Sequence, residues 1–100
     1  MKAAIKRKWI KALRSGEYKQ GYGMLKFRGR YCCLGVLNEV CGLGAEHGDG
    51  MIRPEIAEPL GLSWDVQNKL TSFNDGGRRD GKERPPKSFK WIANWIEKHL

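Results

Sequence analysis

Apolar residues near the start of the chain return at Ile5, Trp9, Ala12 and Leu13, which is the i, i+4, i+7, i+8 spacing of a single helix face. This predicts a helix over residues 4–14, stopped by Ser15-Gly16. The period then shortens. In YKQGYGMLKFRGRYCC, Met24–Phe27 and Arg30–Cys32 flank Arg28-Gly29, a two-residue connection in which glycine can take positive φ. That reads as a hairpin. From Cys33 the helical period resumes through Cys33, Val36, Leu37, Val40 and Cys41 and ends at Gly42. Gly35 lies off that stripe and would let a second backbone approach the helix closely. Cys33 and Cys41 point inward on this reading, and Cys32 finishes the strand, so the thiols are expected to be packing.

Pro54 opens a short helix that Pro59-Leu60-Gly61 ends. Ser63 caps WDVQNKLTSFND, with Trp64 or Val66, Leu70 and Phe73 on its inner face. Residues 74–87, NDGGRRDGKERPPK, carry no apolar side chain except the prolines and read as a long, flexible, basic loop. Ser88 caps a last helix whose core stripe is Phe89, Ile92, Ala93, Ile96 and Leu100, with Trp91 and Trp95 along its flank. The expectation is a mostly helical α+β fold: one compact domain over 1–100, with three or four helices and one small hairpin.

Charge changes this from a fold into a fold with a partner. Lys and Arg number 19 against 11 Asp and Glu, a formal net charge of +8. Such an excess on a small surface attracts polyanions and rules out an acidic mimic of DNA. Arg28, Arg30, Arg78, Arg79, Lys82 and Arg84 are the candidate phosphate ligands, because the planar guanidinium holds phosphate through two parallel hydrogen bonds. Tyr18, Tyr22, Trp91 and Trp95 are the candidates for stacking on bases. The first sixteen residues contain no Asp or Glu. Lys6, Arg7, Lys11 and Arg14 on that helix are therefore read as steering charges. No apolar run reaches the ~18 residues of a membrane span, MKAAIKRKWIKAL lacks the apolar centre of a signal peptide, and three cysteines cannot all pair. The expected compartment is a reducing cytoplasm, away from membranes.

Catalytic chemistry finds little support. His47 and His99 are the only histidines and match no thiol-nucleophile signature. There is no Cys-x-x-Cys, so no zinc site is expected. Asp49, Glu55, Asp65 and Asp75 sit in loops or caps. Gly42-Leu43-Gly44 follows a helix rather than a strand, unlike a dinucleotide fingerprint. No catalytic residue, metal or cofactor is assigned.

WIKALRSGEYKQGYGML, YCCLGVLNEV, LGL and SFKWIANWIEKHL together resemble a group of small proteins encoded by tailed bacteriophages and prophages. These share a W/I-x-x-AL-x-SG-x-Y-x-Q opening, a YCCLGVL segment and a C-terminal S-F-x-x-IA-x-x-I helix. The matching segments are spread over most of the chain. The resemblance implies a phage accessory or counter-defence factor acting stoichiometrically in the host cytoplasm. Leu34 to Leu37 then look like shared core, and no catalytic residue carries over. The favoured function is non-enzymatic binding of an anionic nucleotide, nucleic acid or nucleoprotein effector. One alternative is an inhibitor covering an acidic surface of a host enzyme, and a weaker one is a small nucleotide-acting enzyme. Oligomeric state stays open.

Overall fold

The computed structural model describes residues 1–79 and 81–100, with the side chain of Arg79 outside the description. The architecture is α+β. Among the described residues there are five helices: α1 (Ala3–Ser15), α2 (Cys33–Cys41), α3 (Pro54–Ala57), α4 (Trp64–Asp75) and α5 (Phe89–His99), with a 3-10 turn at Glu58–Leu60. Strands β1 (Lys19–Gln20), β2 (Lys26–Phe27) and β3 (Arg30–Tyr31) form one sheet, and β4 (Gly77–Arg79) and β5 (Lys82–Arg84) form a second.

The helices enclose one core, with α1 packed on α5 and α2, and α4 packed on α2 and α5. Trp9 is fully buried at its centre, and its indole N–H donates to the Cys33 carbonyl at 2.9 Å. The inner face of α1 is Trp9, Ile10 and Leu13; Ala12 of the expected stripe is only half-buried. α2 is buried nearly all round, from Cys33 to Asn38. At Gly35 a Cβ would overlap the carbonyl oxygen of Leu25, so the backbone entering β2 lies directly on this helix. The close approach expected at Gly35 is present.

The first sheet has the order β1-β3-β2. β2 and β3 pair antiparallel around Arg28-Gly29, both at positive φ (51° and 77°), as a type I′ turn requires. β1 joins β3 in parallel, a pairing that two-residue strands do not advertise in sequence. Leu25 and Lys26 donate their N–H groups to the carbonyls of Asp49 and His47, so the glycine-rich loop after α2 covers the outer edge of β2.

Residues 74–87 correct the reading of a flexible loop. α4 runs on through Asn74 and Asp75, and β4 and β5 pair antiparallel with Gly77 opposite Arg84 and Arg78 opposite Glu83. Gly77–Arg79 and Lys82–Arg84 are the paired strands of a second hairpin. Its strands lack apolar alternation because neither face is covered, which hides them from a periodicity argument. The expected α+β class stands, with this second hairpin beside the one expected and with the short α3 counted as a fifth helix among the described residues.

Three buried amides fix the connections. Asn38 exchanges two hydrogen bonds with the backbone of Ala45, and Gln67 two with that of Ile52. Asn74, fully buried, accepts from the Cys33 N–H at 3.0 Å and donates to the Gly21 carbonyl at 2.9 Å. Each amide stands in for a strand partner that the loop does not have.

Candidate functional site

The thiols are packing, as expected, with two adjustments. Cys32 is the N-cap of α2 rather than the end of a strand, its Sγ accepting from the Gly35 N–H at 3.3 Å. Cys41 is half-buried rather than inward. Burial pushes the Cys32 thiol up to about 11 and the fully buried Cys33 thiol well above its ordinary value. It also raises Cys41, against the lowering effect of Lys8. Thiols held protonated are poor nucleophiles at neutral pH. Among the described residues no three His, Cys, Asp or Glu side chains stand together as metal ligands.

Cationic and aromatic groups converge elsewhere. The last turn of α4, the second hairpin and the first turn of α5 enclose a cleft of about 330 Å³. Phe73 and Trp91 form its aromatic side, with ring centroids 5.0 Å apart and planes at 68°. Arg78 and Arg84 line it from the hairpin, and Lys87 from the segment leading into α5. Among the described residues no carboxylate lines the cleft. Among the described residues, neither guanidinium nor the Lys87 ammonium is within ion-pair distance of an acid. The Lys87 Nζ lies 5.0 Å from the centroid of the Trp91 ring, a cation–π contact.

The sequence places this cleft through its anchors. Gly76 follows α4 at φ 73° and ψ −163°, a conformation open essentially to glycine alone. A Cβ there would come within 2.7 Å of the Arg84 carbonyl and 2.8 Å of the Pro86 nitrogen, so the base of the hairpin is seated against it. The Lys87 N–H donates to the Phe73 carbonyl at 2.7 Å, and its own carbonyl accepts from Gln20 Nε2 at 2.7 Å. Ser88 caps α5 by accepting from the Trp91 N–H, which puts the positive end of that helix beside the cleft.

Of the residues singled out in sequence, Arg78, Arg84 and Trp91 meet here. Lys82 is exposed farther along β5, and the side chain of Arg79 lies outside the described residues. Arg28 and Arg30 do not line the cleft; Arg28 rests over Phe27 at 5.1 Å, and Arg30 reaches the Gln20 carbonyl at 3.4 Å. Tyr18 is half-buried edge-on against Tyr31, and Trp95 packs on Phe73 and stacks on His99, so both stacking candidates are engaged internally. Tyr22 is exposed. Two of the four steering charges are tied down. Arg14 pairs with Glu97 at 3.0 Å and bonds Asn94, and Lys6 Nζ donates to the Glu97 carbonyl, which leaves Arg7 and Lys11 exposed on α1. The hydrogen bond from Arg14 lowers the Glu97 carboxyl below its ordinary range.

Phe73 is a site residue that the sequence reading gives to the core, and Lys87 one that it counts only among the cations of the 74–87 loop. Phe73 falls on the helical core stripe, and Lys87 is one cation among many; only the seating of the hairpin brings them together.

The sequence model of one family, described as a domain of unknown function (DUF8296), matches residues 1–49, just under half of the chain. That stretch covers α1, the first sheet and α2, and stops short of the cleft. Comparison with curated proteins and with solved structures returns no match.

Proposed function

We propose that this protein is a non-enzymatic binding protein whose cleft takes an aromatic ring together with a phosphate, as in a nucleotide or one unit of a nucleic acid. The observation that carries this reading is a lining that, among the described residues, has three cations, two aromatic rings and no carboxylate. Cations lining one cleft with no ion pair among the described residues repel one another, and an anion between them relieves that repulsion. Trp91, about 39% exposed, offers a ring for stacking. The volume is near the lower end for small-molecule sites, suited to a single nucleotide rather than a larger cofactor. The resemblance to tailed-phage proteins supports placing this binding in the host cytoplasm, as an accessory or counter-defence factor. No helix among the described residues is long and apolar enough to cross a membrane.

The test is mass spectrometry of small molecules retained by the purified protein, followed by calorimetry with ribonucleoside 5′-monophosphates and a short single-stranded oligonucleotide. Arg84→Ala combined with Trp91→Ala should weaken binding tenfold or more. Unchanged affinity in that variant would remove the cleft from the reading.

A second reading rests on a different surface. Tyr22, Met24 and Phe27 are exposed on and beside the first hairpin, next to Lys26 and Arg28. Exposed apolar side chains with Arg28 resting over Phe27 suit an acidic face of a host protein, although the Asp75 carboxylate stands at Gly23 on the same side. Substituting Phe27 and Tyr22 by Ser would abolish that interaction and leave nucleotide binding intact.

A further inference from the structure

We infer that Lys87 is a charge gate over Trp91, making the cleft select aromatic ligands that carry a phosphate over neutral ones of the same shape. The inference rests on the cleft being the binding site and concerns what it discriminates.

The half-exposed Trp91 ring already carries two contacts. The Lys87 ammonium lies over the Trp91 indole, while the ring of Phe73 meets the same indole edge-on. A base that stacks on Trp91 has to move the ammonium aside. The side chain reaches the ring through four rotatable bonds, while the backbone is held by hydrogen bonds. Residue 87 is pinned on one side by its N–H to the Phe73 carbonyl and on the other by its carbonyl to Gln20. The four-carbon stem therefore swings about a fixed point, with no acidic partner among the described residues to receive it.

Where the ammonium goes next depends on the ligand. A neutral nucleoside displaces it from the ring and gives it nothing in return, leaving it beside Arg78 and Arg84 without a counter-charge. A nucleotide brings its own acceptor, and the displaced ammonium then pairs with phosphate alongside the guanidinium groups. Ring and phosphate thus become linked requirements. Each alone binds weakly, because the ring without the phosphate breaks a contact, and the phosphate without the ring leaves Lys87 where it rests.

The experiment measures, by calorimetry on the full chain, the affinities of adenosine, adenosine 5′-monophosphate and inorganic phosphate for wild type, Lys87→Ala, Lys87→Gln and Lys87→Arg. All four proteins retain the backbone bonds at residue 87, and Lys87→Gln keeps most of the stem should Lys87→Ala be poorly folded. Removing an exposed cation–π contact should raise adenosine affinity about two- to fivefold in Lys87→Ala. Losing one charge-assisted hydrogen bond should weaken the monophosphate about tenfold. The preference for monophosphate over adenosine therefore collapses in Lys87→Ala and Lys87→Gln and is restored in Lys87→Arg. If wild type binds the monophosphate but all four proteins discriminate alike, the gate is overturned and the cleft stands. If wild type binds none of the three probes, the cleft reading falls and the gate with it.

Discussion

Single side chains settle two questions that composition leaves open. Asn74 occupies the start of what the sequence presents as a polar loop, yet it is fully buried and bonded to Cys33, Gly21 and Gln20. Nothing in one sequence separates an amide that bridges buried backbone from one that faces water, so this residue is illegible there; so are Asn38 and Gln67. Asn74→Ala leaves the Cys33 N–H and the Gly21 carbonyl without partners. It should cost roughly 2–4 kcal/mol in urea unfolding, whereas exposed Asn68→Ala should stay within about 0.5 kcal/mol. The thiols make a pH prediction. Cys32 titrates from its ordinary 9.0 when unfolded to about 11 when folded, and Cys33 shifts in the same direction. Below pH 9 both states keep their protons and these thiols contribute no pH dependence. Between pH 9 and 11 the unfolded chain releases protons that the folded one retains, so stability falls as pH rises. Cys33→Ala should unfold more easily at pH 8 and show a shallower alkaline decline than wild type; an identical decline would mean Cys33 is not the group responsible.

At the level of elements, the legible parts are those whose local geometry is written in residue type and spacing. Arg28-Gly29 sits between residues of β propensity and produces the expected turn; the stripes of α1, α2 and α5 come from helical periodicity. The second hairpin escapes the sequence reading because charged residues in both strands conceal strand character when neither face is buried. With it goes the cleft: Arg78, Arg84 and Trp91 stand out in sequence, but as separate members of a loop and a helix. The expectation of a flexible basic loop is replaced by paired strands seated on Gly76. Gly76→Ala tests that seat. Its conformation excludes a side chain, so the substitution should cost about 1–3 kcal/mol. Amide exchange in β4 and β5 should quicken more than in α1 or α5, and nucleotide affinity should fall with it. Equal quickening everywhere would show that the hairpin opens only with the whole domain.

Across the whole molecule, the formal net charge of +8 attracts anions without choosing among them, and salt dependence separates that attraction from the cleft. Each phosphate neutralised on a single strand contributes a slope of about −0.7 in log affinity against log salt. Arg78, Arg84 and Lys87 together should therefore give an oligonucleotide a slope of about −2. A much steeper slope would enlist Arg28, Arg30 or Lys82 as well. Replacing Arg7 and Lys11 by Gln should slow association and lower that slope modestly, as the loss of remote steering charges does. The packing of the helices has a different consequence. The pairs α1 with α5 and α2 with α4 each join the first half of the chain to the second, and Asn74 and Gln20 bond across the same divide. The core is shared between the two halves, although α1 also packs on α2 and α4 on α5 within each. A protease nick at the exposed Gly48 would leave two fragments held together by the interior they share, a non-covalent heterodimer that still carries the whole fold.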